Sequence, residues 1–130
     1  MRVLVGFVVC ICSIICGCAV SGTVVDRSEH SAELEKMKLR NPDMKVFCGG
    51  TRRELPLKVV KTCKIDAAVT TSVDGELYLG VELELIDGTR LGVSQKGNCY
   101  ISADNELIGK SEHGTYSATF DNINSFTIRE

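Results

Sequence analysis

The sequence predicts a mainly β protein, an antiparallel meander in a small sandwich or a partly closed barrel, preceded by a cleaved signal peptide and a short helical or linker segment. Three observations predict it. Between residues 63 and 95 apolar side chains recur at every second position, the period of a strand with one buried face. Val73-Asp74-Gly75 and Ile86-Asp87-Gly88 interrupt that run, and Asp-Gly suits a tight hairpin turn because glycine accepts positive φ without steric cost. Short β-branched and aromatic runs then alternate with polar turns to the C-terminus.

A chain of 130 residues is one domain's worth. Its formal net charge is −2, its basic residues are scattered, and it has only four Phe, three Tyr and no Trp. Neither phosphate electrostatics nor base stacking has a platform, so nucleic acid is not an expected partner.

The first element is a leader. Arg2 supplies a short positive region, Val3 to Ile15 is apolar, and small residues follow in CGCAVSG, the grammar of an exported chain. Within it, Ile15-Cys16-Gly17-Cys18 resembles the lipobox of bacterial lipoproteins, in which a dedicated signal peptidase cuts before a cysteine that carries diacylglycerol. The resemblance covers the leader alone. It implies that Ile15, Cys16 and Gly17 form the cleavage site, that residues 1–17 are removed, and that Cys18 is the acylated thiol. Several acyl chains would make the anchor stable, where a single chain is marginal. Ala19 takes the sorting position, where its difference from aspartate implies the outer membrane of the bacterial envelope. Ile and Cys at the first two places depart from the commoner Leu and Ala or Ser. Three other readings fit the same residues: secretion after a cut before Gly22, an uncleaved anchor over Val3 to Val20, and a buried core helix.

Residues 18–44 read as a lipid-anchored tether with a short helix. Ser21, Gly22 and Thr23 are tether-like, Asp26 and Glu29 have capping-box spacing, and Asn41-Pro42 ends the helix. Ala32, Leu34, Met37 and Leu39 make no clean helical stripe, so the helix is marginal alone. It serves as a spacer between membrane and domain.

Residues 45–130 form the β-rich domain. About seven strands are expected, one around 45–48, one at 57–63 that runs on into the first meander strand near 63–72, the meander strands near 76–86 and 89–95, and then 98–102, 115–120 and 125–129. Three-residue loops set Thr71 opposite Leu77, Val69 opposite Leu79, Ala67 opposite Val81 and Ile65 opposite Leu83 in the first hairpin. In the second, Leu83 faces Leu91, Val81 faces Val93 and Glu84 faces Arg90. The face carrying Lys64, Glu76, Tyr78, Glu82 and Glu84 is expected to be wet.

Three of the seven cysteines, Cys48, Cys63 and Cys99, lie in the body. They can form one disulfide, Cys48 with Cys63 or with Cys99, and Cys63 shares the inward parity of Ile65. A zinc site would require all three with His30 or His113, and no metal is expected. His113 sits among Ser111, Glu112 and Thr115, but neighbours on one turn do not make a triad. Gly49-Gly50 lacks the residues of a phosphate loop, and no catalytic site or cofactor is expected. The expected function is that of an envelope lipoprotein held by its lipid anchor and acting on an envelope protein partner by contact. Such small β lipoproteins serve as assembly factors, inhibitors or exclusion proteins. The alternative is a carrier of a small apolar ligand.

Overall fold

The computed structural model describes residues 20–92 and 99–129. The strands are β1 (Val20–Asp26), β2 (Ser31–Leu39), β3 (Asp43–Cys48), β4 (Thr51–Pro56), β5 (Val60–Val73), β6 (Glu76–Leu85), β7 (Arg90–Leu91), β8 (Cys99–Ser102), β9 (Glu106–Ser111), β10 (Gly114–Thr119) and β11 (Ile123–Arg129). All pairs are antiparallel, and the sheet follows the order β10-β9-β2-β1-β11-β5-β6-β8-β3-β4, with β7 on β6 beside this path. The protein is therefore mainly β, as expected, in a sheet that does not close.

The path bends where β2 passes into β3 and β8 into β9. β2 pairs with β9 and β3 with β8, so the same two chain segments run together on both sides of this corner. Asn105, only 3% exposed, ties it. Its Oδ1 accepts the N–H of Glu106 at 2.8 Å and of Asn41 at 3.1 Å, while its Nδ2 donates to the carbonyls of Asn41 and Asp43 at 3.3 and 3.4 Å. A buried amide is tolerable because both of its ends are satisfied.

The two arms bury one continuous apolar cluster that includes Val24 and Leu34, Val46, Cys63, Leu79 and Leu83, Ile101, Leu107 and Phe126. Each large apolar side chain so buried stabilises the fold by about 1.5–3 kcal/mol. Phe120 and Phe126 meet within it at a centroid distance of 6.2 Å.

Residues expected to form the short helix are strand. Ala32 and Leu34 alternate with exposed residues, and Lys36, at φ 54, inserts one residue so that Met37 and Leu39 again face inward. The ladder shifts register there on both flanks of β2. An alternation broken by one bulge looks like a poor helical stripe. Asp26 organises a turn instead of a helix cap: its Oδ1 accepts the N–H groups of Ser28 at 2.9 Å and His30 at 3.0 Å. β1 and β2 consequently sit inside the sheet path, and residues 20–39 are two paired strands joined by a turn, not spacer.

The first meander hairpin also has another register. Val73 pairs with Glu76, Ser72 with Leu77, Thr70 with Leu79, Ile65 with Val81 and Cys63 with Leu83. Asp74 (φ 52) and Gly75 (φ 83) both take left-handed backbone, which makes a two-residue turn where a three-residue loop is expected. The excess is absorbed between Asp66 and Thr70, where Asp66 Oδ1 accepts the Ala68 N–H at 3.1 Å. Gly80 lies opposite this bulge, and a Cβ there would be 2.9 Å from that of Val69. The second hairpin matches expectation at Leu83–Leu91 and Glu84–Arg90, while Val93 lies outside the described residues. β4 and β9 are further strands that the sequence pattern did not suggest.

Candidate functional site: an aromatic and arginine face

Register across four strands builds this face. Phe47 pairs with Arg52 on one side and Tyr100 on the other, and Tyr100 pairs with Gly80, giving the row Arg52, Phe47, Tyr100, Gly80 across β4, β3, β8 and β6. Val46, Ile101 and Leu79, one residue away on their strands, are buried in the core. Strand parity therefore directs the row to the opposite face. Tyr78 shares the parity of Gly80, so three of the chain's seven aromatic residues, from four Phe and three Tyr, lie on this one face.

Phe47 and Tyr100 are half-buried, whereas Tyr78 is 1% exposed. The expectation of a wet Tyr78 is thus corrected. The cause is curvature. Arg52 Nη2 lies 2.8 Å from Asp74 Oδ2 at the tip of the β5–β6 hairpin, although three strand steps separate β4 from β6. Strand twist raises diagonally opposite corners of a sheet toward the same side, which brings these two together over the aromatic face. The Asp74 hydrogen bond, followed by nearby Tyr78, raises the Arg52 guanidinium above its ordinary pKa.

Chemically, the face offers planar π surface, a cation and a carboxylate, with Gly80 admitting the close approach of Val69. That equipment suits adhesion. Aromatic and arginine side chains are the ones most enriched where proteins meet, because they bring large contact area and directional hydrogen bonds.

A second concavity, a groove of about 850 Å³, lies between β2 and the β9–β10 hairpin and includes Glu33, Lys110, Glu112, His113, Tyr116 and Arg129. Its charges largely answer one another, as Arg129 Nη1 lies 3.2 Å from Glu33 Oε1. Partial burial, and then nearby Asp26, raises the Tyr116 phenol above its ordinary pKa. His113 is exposed with Nε2 3.7 Å from Glu112 Oε1. Ser111 Oγ donates to the Gly114 carbonyl at 3.0 Å and accepts the His113 N–H at 3.2 Å, so it shapes the turn. His30 is likewise exposed, 3.9 Å from Asp26.

Cys48 and Cys99 stand directly opposite in the β3–β8 register, with Cα atoms 4.2 Å apart, and form a disulfide. This corrects the Cys48–Cys63 pairing in favour of the Cys99 alternative. Cys63 is free and fully buried, pointing inward as its parity with Ile65 requires, and burial pushes its thiol well above the ordinary value. Among the described residues no group of three or more His, Cys, Asp or Glu is placed to hold a metal. No helix among them is long and apolar enough to cross a membrane. Ile15, Cys16, Gly17, Cys18 and Ala19 lie outside the described residues.

No protein-family model matches the chain, and no curated protein is similar to it. Sequence reasoning missed Phe47, Tyr100 and Arg52 because their row crosses strands far apart in the chain. The one local sign was the outward parity of Phe47 beside the core residue Val46.

Proposed function

We propose that this protein is a lipid-anchored lipoprotein of the bacterial envelope that works as a non-catalytic interaction module. The lipobox-like Ile15-Cys16-Gly17-Cys18 supports the anchor, with Cys18 bearing the lipid and Ala19 directing it to the outer membrane. The row of Arg52, Phe47 and Tyr100 carries the contact role, since it sets adhesive side chains on an outer sheet face. A carrier of a small apolar ligand is the weaker reading, because inward residues from both arms pack into one cluster.

Cys18 precedes β1 by a single intervening residue, and two residues span at most about 7 Å. The lipid would therefore hold the sheet close to the headgroups, and a partner would be met at the membrane surface. Mass spectrometry of the mature N-terminus tests the anchor: acyl mass on Cys18 that disappears in Cys18→Ser is expected, and an N-terminus at Gly22 would refute it. A photocrosslinker at Tyr100 tests the contact role. It should yield one discrete envelope adduct that weakens about tenfold or more when Arg52 and Phe47 are both changed to Ala, the loss typical of removing one or two interface anchors; an adduct indifferent to those changes would count against the face.

A further inference from the structure

The two ends of the sheet path are unlike. β4 carries Arg52, Arg53, Glu54 and Pro56, the charges and proline by which an edge strand resists pairing. β10, Gly-Thr-Tyr-Ser-Ala-Thr, carries no charge and no proline, and all six residues pair with β9 without a bulge. Among the described residues no strand pairs with its outer edge. The exposed stretch of β5 beyond Asp66 differs again, being kinked by its bulge with the Ala68 N–H already bonded to Asp66.

Two main-chain bonds show which groups β10 presents. The Glu106 carbonyl accepts the Arg40 N–H at 3.0 Å, so even-numbered residues of β9 face β2, and the Asn105 carbonyl accepts the Phe120 N–H at 3.1 Å, so odd-numbered ones face β10. In the β9–β10 register, Gly114, Tyr116 and Ala118 then bond inward, leaving the N–H and C=O of Thr115, Ser117 and Thr119 directed outward.

We propose that two copies of this chain join through these edges in an antiparallel β10–β10 ladder centred on Ser117. An antiparallel copy in that register sets Ser117 against Ser117 and Thr115 against Thr119, so every outward main-chain group of β10 on both copies is bonded. Centring on Tyr116 instead would send Thr119 to the turn residue His113. The Ser117 register also suits the side chains. Tyr116 meets the small Ala118 of the second copy on the inner side, hydroxyl residues meet on the outer side, and His113 arrives where Asp121 of the second copy lies. A two-fold ladder closes after two copies because each contributes the same edge. The ladder needs only the sheet edge and is independent of the lipid anchor and of the aromatic face.

The test places a photoreactive residue at Thr115 in the full chain, solubilised in mild detergent. A covalent product of twice the chain mass is expected, its adduct mapping to Thr119 or an immediate neighbour of the second copy. Monomer alone, an adduct elsewhere on the second copy, or an adduct to a different protein overturns the proposal. Ser117→Lys in the same background sets two like charges on the axis and leaves the β9 ladder intact. It should lower the yield about fivefold while the thermal unfolding transition persists, and an undiminished yield overturns the proposal. Should that variant not fold, Ser117→Pro, which removes only an outward N–H, takes its place with the same two readings.

Discussion

Asp87 shows how one side chain sets a turn and ties stability to pH. Its Oδ1 accepts the Thr89 N–H at 2.9 Å, and this backbone bond, then the Thr89 side chain, hold the carboxyl below its ordinary range. A folded-state pKa below the unfolded value of about 3.9 means that the contribution is full above the unfolded value and is lost as pH falls through the folded one. The urea midpoint of the native protein should exceed that of Asp87→Ala at neutral pH, and the gap should close in acid; a gap constant with pH would show that the carboxylate is not the cause. Asp87 was legible because an aspartate two residues before a β-branched hydroxyl, beside glycine, is local turn chemistry. Asp74 was half legible: its Asp-Gly announces a turn, but the positive φ of Asp74 itself shortens the loop and shifts the whole first hairpin. At Cys63 parity alone gave the burial, whereas the partner of Cys48 depended on a strand pairing 51 residues away.

Among the elements, β2 is the most instructive misreading. Its apolar residues obey a strand period on either side of Lys36, and only the left-handed Lys36 reconciles the halves. A residue with a Cβ pays for that conformation where glycine does not, so Lys36→Gly is expected to hold or raise stability by up to about 1 kcal/mol, and Lys36→Val to lower it. Chemical denaturation of the pair checks this; if both variants lose equally, the bulge is not limiting. The second meander hairpin was legible from its alternation because local turn geometry and inward residues agreed. β1, β4 and β9 were not. β1 and β9 each pair with a segment distant in sequence, while β4 folds back on its neighbour β3; the tether-like composition of β1 and the charges of β4 conceal their extended backbone. The aromatic face was hidden for the same reason, being assembled by register across strands.

For the whole molecule, the disulfide closes a covalent loop, joining β3 to β8 across a separation of 51. By the chain-entropy account such a link restrains the unfolded chain enough to contribute about 4 kcal/mol. Replacing both Cys48 and Cys99 with alanine should lower the unfolding free energy by roughly that amount with the fold retained; a loss under about 1 kcal/mol would mean that the packed arms alone set stability. Mechanical behaviour follows from where β1 lies. It is flanked by β2 and β11 together, so a tug arriving at Val20 along the strand must slide two ladders simultaneously instead of opening one bond after another. A protein moored through the residues just before that strand would resist being hauled apart by its own mooring, and the domain would yield to drag only when many main-chain bonds fail in the same instant.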